Sequence, residues 1–164
     1  MSTKIFLFGL ISFLTYIPCE AQLIYDTIPS NQVTLNERIK LYINEEILVQ
    51  FLRSPDSIKQ FQDVCDDNQP YFKKYYGLDI FEIKNHQIRE FQIRSTKFRL
   101  KFHNISVNDS ASILKSVFLN AFNQRTQIND KEYLISVFIG TSDQKLIFKI
   151  ENEIIIEFKT YFPC

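Results

Sequence analysis

From residue 34 onward, apolar positions recur at helical spacing. Leu35, Ile39, Ile43, Ile47, Leu48, Phe51 and Leu52 fall on one face of a 3.6-residue period. Thr34 and Glu37 stand ahead of them as a capping box, in which the hydroxyl accepts from the third amide and the carboxylate reaches back. That pattern predicts a first helix. Ser54-Pro55-Asp56 breaks the run and starts a second one. Ser54 suits an N-cap, and Pro55 suits the first helical position, where its missing amide costs nothing. Ile58, Phe61, Val64 and Cys65 form the inner stripe of that helix, which ends in "DDNQP" (66–70). After "YFKKYYG" (71–77), Asp79 is placed to cap a shorter third helix carrying Ile80, Phe81, Ile88 and Phe91.

The second half changes period. Phe98, Leu100 and Phe102 alternate with Arg99 and Lys101, and Ile154, Ile156 and Phe158 alternate with Glu157 and Lys159. Between them "EYLISVFIG" (132–140) and "KLIFKI" (145–150) are β-branched and aromatic, bounded by polar turns. Residues 112–122, "SILKSVFLNAF", read as a strand, with a helix as the alternative, because Ile113, Leu114, Val117, Phe118, Ala121 and Phe122 also make a helical stripe. Helices followed by an antiparallel sheet predict an α+β domain, with N-terminal helices packed on a curved sheet of four to five strands.

The N-terminus does not belong to that domain. Lys4 precedes the uncharged run "IFLFGLISFLTYI" (5–17), and Cys19 and Ala21 sit where a secretory cleavage site wants small residues. The run is shorter than the roughly 20 residues that span a bilayer. Residues 1–21 therefore read as a signal peptide, and residues 22–164 as a single secreted, extracellular domain. Cys65 and Cys164 remain after cleavage, and an oxidising compartment favours a bridge between them. Closing a loop of roughly 100 residues would contribute about 4 to 5 kcal/mol in the loop-entropy model. A buried Cys65 thiol or an intermolecular Cys164 bridge are the alternatives.

The order of elements, a helix, the "SPD" restart, "IKQFQDVCDDNQPYF" (58–72), a glycine-bearing segment, a short helix and a closing meander, resembles the nuclear-transport-factor-2-like domains, among them small secreted ones of nematodes. The likeness would cover residues 34–161. It implies a cone-shaped pocket between helices and a curved sheet, used for catalysis, ligand binding or dimerisation. Enzymes of that kind place an acid, a His or a Tyr deep in the cone. No residue here matches such a set, so none is carried over.

Chemistry-bearing patterns are few. Charge is balanced, with 19 basic and 19 acidic residues, and lacks the basic stripe that nucleic acid needs. His86 and His103 are the only histidines, too few for a histidine-based zinc site. Three glycines cannot furnish a phosphate-cradling loop. No metal, cofactor or catalytic residue is assigned. The aromatic group Tyr71, Phe72, Tyr75 and Tyr76, beside Lys73 and Lys74, reads as core packing or as a pocket wall or interface patch.

"KFHNISVNDSAS" (101–112) holds two sequons, at Asn104 and Asn108, which secretion makes usable for glycans. Phe98, Leu100 and Phe102 lie out of phase with Ile105 and Val107. One β-bulge near His103 and Asn104 would restore the phase and turn Asn104, Ser106 and Asn108 outward. The functional expectation is a secreted, non-enzymatic domain that binds a protein partner, itself as a homodimer, or a small apolar ligand. The alternative is a small isomerase or hydrolase with a cone-shaped pocket.

Overall fold

The computed structural model describes residues 25–66 and 69–163. Strands dominate it, and the predicted helical first half is mostly β. β1 (Thr27–Ile28) precedes a small hairpin of β2 (Thr34–Leu35) and β3 (Ile39–Lys40), and then α1 (Glu46–Phe51). A four-strand meander follows: β4 (Ser57–Asp63), β5 (Gln69–Tyr76), β6 (Asp79–Lys84) and β7 (Gln87–Ile93). After a long crossing segment come α2 (Ser112–Val117), α3 (Leu119–Asn123) and β8 (Thr126–Gln127). A second meander closes the chain: β9 (Glu132–Ile139), β10 (Lys145–Glu151) and β11 (Ile154–Tyr161).

The two meanders join into one nine-stranded sheet of order β1-β9-β10-β11-β7-β6-β5-β4, with β8 also on β9. Only β1 on β9 is parallel among these pairs. The α+β cone with N-terminal helices is therefore incorrect: the described residues form a large mixed sheet with three short α-helices.

Tight turns explain the false helical period. Asn36 and Glu37 both have positive φ (47° and 62°), and the turn brings Leu35 opposite Ile39. Residues four apart then lie side by side, as they do on a helix, and both are buried. Thr34 caps nothing; its hydroxyl donates to the Asn31 carbonyl. Asn85-His86 (φ 50° and 59°) and Asn152-Glu153 (φ 49° and 63°) are two-residue turns of the same left-handed kind, which match the twist of a hairpin. They form β6–β7 and β10–β11. Gly77, with φ 67°, opens the turn between β5 and β6, where a side chain would be strained.

One face of the sheet is the core. Tyr133, Ile135, Val137 and Ile139 of β9 alternate inward, as do Leu146, Phe148 and Ile150 of β10. Residues 112–122 settle on the helical alternative, as α2 and α3, and bury Leu114, Phe118 and Ala121. A chain of rings crosses the core: Phe102 on Phe118 at 5.1 Å, Phe118 to Phe148 at 6.2 Å, Phe148 to Phe158 at 6.2 Å and Phe158 to Phe91 at 6.4 Å. It crosses the seam where β11 meets β7 in two Cα pairs, Phe158↔Ile93 and Lys159↔Gln92.

No bulge restores the phase at His103 and Asn104. Both adopt left-handed backbone (φ 51° and 54°) in a 3-10 turn, Phe102–Asn104, that reverses the chain. The Leu100 amide then donates to the Ile105 carbonyl at 2.8 Å. Phe98, Leu100, Ile105 and Val107 are all buried, and Asn104 and Asn108 are exposed. Ser106 is not outward: it is buried and its hydroxyl donates to the Phe98 carbonyl at 3.0 Å.

Phe158 touches both meanders, so its removal tests the seam. Phe158→Ala is expected to cost about 3 to 5 kcal/mol in urea unfolding, whereas Leu119→Ala, at an exposed site, should change stability by about 0.5 kcal/mol or less. A Phe158→Ala cost no larger than that of Leu119→Ala contradicts the seam's role.

Candidate functional site

β4 and β5 form a two-stranded ribbon at one end of the sheet. Six of the seven β4 residues are exposed, and only Asp63 is buried. Register and pleat assign the side chains to faces. Lys59, Phe61 and Asp63 project to the same side as their partners Lys73, Tyr71 and Gln69. Ile58, Gln60 and Phe72 project to the other. Phe61 stacks on Tyr71 with ring centres 5.4 Å apart and planes 20° apart. The Lys73 ammonium lies 5.3 Å from the Phe61 ring centre, and Lys59 lies 5.4 Å from that of Tyr75. These cation–π contacts stiffen an otherwise unburied face.

The aromatic group of the sequence is thus split. Tyr71, Phe72 and Tyr75 are ribbon residues with partly open surfaces, whereas Tyr76 is buried and packs edge-on against Phe81 at 5.8 Å. The structure adds apolar neighbours that a helical reading had turned inward. Ile58 is 54% exposed, Val64 83% and Phe61 38%. Among the described residues no strand pairs with the outer edge of β4.

Next to the ribbon lies a charged face. Asp63 accepts from Lys84 at 2.8 Å and from Arg89, and these two cations hold its carboxyl well below the usual carboxylate range. Asp66 also bonds Lys84. Glu82 and Glu90 are directly opposed on β6 and β7. Burial, and then the Glu82 charge, push the Glu90 carboxyl up to about 7. Burial also raises Glu82, against the pull of Lys73 at 3.6 Å. Glu90 Oε1 accepts the Phe162 amide at 2.7 Å, and the Arg89 guanidinium lies 4.9 Å from the Phe162 ring centre. The tail after β11 is thereby held on the sheet.

Sequence reasoning missed this cluster because its members meet only across strands. The one available signal is Asn85-His86, a hairpin turn that pairs Lys84 with Gln87; a register shift beyond Ile83–Ile88 then sets Glu82 opposite Glu90. A cleft of about 430 Å³ lies beside the cluster, lined by Cys65, Lys84, Arg89, Phe162 and Pro163 among others. Cys164, the expected partner of Cys65, lies outside the described residues, but Pro163 before it lines the same cleft as Cys65. The expected signal peptide also lies outside them, apart from which no helix of the described residues is long and apolar enough to cross a membrane.

His86 is exposed on its turn, with Nδ1 3.0 Å from Glu45 Oε1, and His103 is exposed at the other reversal. They are not brought together with Glu82 and Glu90. No cluster of His, Cys, Asp and Glu among the described residues could hold a metal ion.

The pH dependence follows from two opposed shifts. Glu90 holds its proton more tightly folded than unfolded, since its ordinary value is 4.5. Its favourable contribution is full below that value and is lost as pH rises through about 7. Asp63 is shifted down, so its contribution is present above its ordinary value of 3.8 and is lost as pH falls below it. Thermal unfolding of wild-type protein should lose stability between about pH 5 and about pH 8, and Glu90→Gln should flatten that limb while leaving the acid limb. An unchanged neutral limb in Glu90→Gln contradicts the assignment.

No family model, curated protein or solved structure matches the chain, so the resemblance to nuclear-transport-factor-2-like domains is neither shown nor refuted; of the early helices on which it leaned, only Glu46–Phe51 is helical, and the second and third are strands.

Proposed function

We propose that this protein is a secreted, non-enzymatic binding domain that takes an extended protein segment onto the open edge of β4. The observation that carries the reading is that edge. Among the described residues, the seven of β4 end the sheet with no strand on their outer side, and their backbone can pair with an added strand. Ile58, Phe61 and Val64 offer apolar contact there. The opposite end of the sheet is guarded, since short β1 and β8 both cover β9. A protein partner fits better than a small apolar ligand, because the cleft beside the ribbon is lined by Lys84, Arg89 and Asp66.

The isomerase or hydrolase reading has one observation in its favour, a glutamate that titrates near neutrality beside a second glutamate. That carboxylate already accepts the Phe162 amide. The cleft that both glutamates line is small, about 130 Å³.

Secretion supports the same reading through residues 1–21, a bridge between Cys65 and Cys164, and glycans at exposed Asn104 and Asn108. Modification at Asn104 would precede folding, because Ser106 of its acceptor pattern is buried. Protein secreted from eukaryotic cells should begin at Gln22, lose mass on glycosidase treatment and yield a Cys65–Cys164 linked peptide without reduction. A product retaining residues 1–21, or a free Cys65 thiol, contradicts the corresponding element.

Binding is tested by selection from a displayed library of random peptides. Enriched peptides should be extended and apolar-alternating, and Phe61→Lys with Val64→Lys should reduce their retention at least tenfold. Equal retention by the variant sinks the edge reading, as does turnover in a hydrolase screen that Glu90→Gln abolishes.

A further inference from the structure

A row of charged side chains crosses the first meander at one register. Glu90 of β7 faces Glu82 of β6, Glu82 faces Lys73 of β5, and Lys73 faces Lys59 of β4. Directly opposed residues share a face of the sheet, so all four project to one side. Opposite charges across a ladder are favourable, and like charges are not. Lys73 is balanced on its β6 side, 3.6 Å from Glu82. Lys59 opposes only Lys73 across the ladder, and no ion pair among the described residues includes it. Its ammonium lies over the Tyr75 ring instead. On its other side the row ends at the outer edge of β4.

On the strand-addition reading above, we infer that the segment this edge takes up is acidic at one position, setting a carboxylate opposite Lys59. A residue directly opposite on an added strand has its Cβ about 4.5 to 5.5 Å away, close enough to complete the row. The neighbours of Lys59 on its own face, Ser57 and Phe61, are uncharged. Asp63 beyond them is already bonded to Lys84, Arg89 and the Cys65 amide, so it asks nothing of a partner. On the other face Gln60 and Gln62 are neutral, and Lys74, across from Ile58, is bonded to Glu45.

The flanking positions take apolar residues. Phe61 stacks on Tyr71, and an aromatic side chain opposite Phe61 extends that stack outward. Exposed Ile58 takes an apolar residue next to the acid.

A lysine on an edge strand discourages pairing. A segment that presents an apolar residue to Lys59 covers its ammonium without a counterion, and a basic one adds a third cation to the row. Lys59 thus rejects most extended segments and admits one with an acid in register, which is how a repulsive element confers specificity.

The selection is read with a displayed peptide library built in both strand directions. Tyrosine, threonine and valine are fixed to face Phe61, Gln60 and Ile58, and only the position facing Lys59 is varied. Wild-type protein at low salt should retain aspartate and glutamate members over lysine and arginine members by about fivefold, the scale of a cross-strand charge pair. Lys59→Glu should reverse that preference and Lys59→Gln should abolish it. Lys59 is exposed, so both substitutions leave the core intact. Retention blind to the varied position, or a preference that Lys59→Glu leaves in place, overturns the acidic partner while the edge reading stands. Retention by Phe61→Lys with Val64→Lys equal to that of wild type overturns the edge reading, and the acidic partner with it.

Discussion

The seam between β7 and β11 is the contact on which the rest of the structure depends. Its backbone pairing is short, two Cα pairs, so side chains must hold it. Phe158 sits at its centre, with Phe91 on one side and Phe148 on the other. The Thr160 hydroxyl accepts the Phe91 amide at 2.9 Å, which satisfies a buried donor where the strands begin to part. On the outer face Glu157 accepts from Gln92 at 2.8 Å and from Arg94 at 2.5 Å. Apolar burial drives the join and the polar contacts set its alignment, since burial has no direction of its own.

Joining the meanders at β7 and β11 decides which strands end the sheet. The second meander turns its far side toward short covering strands and the two small helices. The first meander is left to end in β4, farthest from the ring chain. There the ribbon relies on Phe61–Tyr71 stacking, lysines over rings, and the Asp63 ion cluster at its base. Such contacts contribute less than core burial, roughly 0.5 to 1 kcal/mol each at exposed sites. β4, exposed at six of its seven residues, is thus also the strand whose outer side no other described strand covers, which is what a binding element requires.

The closing meander was legible because its strands alternate cleanly and bury one face, and 132–139, 145–151 and 154–161 lie close to where the pattern puts them. The first half was not, for a physical reason. Leu35 and Ile39 are four apart on either side of a tight turn, and four-residue spacing is also the mark of a helix. In β4 the apolar positions 58, 61 and 64 miss the period of two, because the strand has no buried face to enforce it. Residues 112–122 carried both patterns, and their packing on Phe148 and the β9 face selects the helical one. Of the candidate site, Tyr71, Phe72, Tyr75 and Tyr76 were legible as an aromatic group, but not whether they pack in the core or face outward. The partners Ile58, Phe61 and Val64, and the carboxylates at 82 and 90, meet only through strand register, which local patterns do not carry.

Everything proposed about function comes down to whether the outer edge of β4 is used. Amide hydrogen exchange with and without a peptide taken from the selection measures that edge without altering a residue. The account predicts that outward-facing amides of residues 57–63 exchange fast in the free protein and become protected when the peptide is added, while those of β10 stay protected throughout. Protection of β4 that a retained peptide leaves unchanged would contradict it.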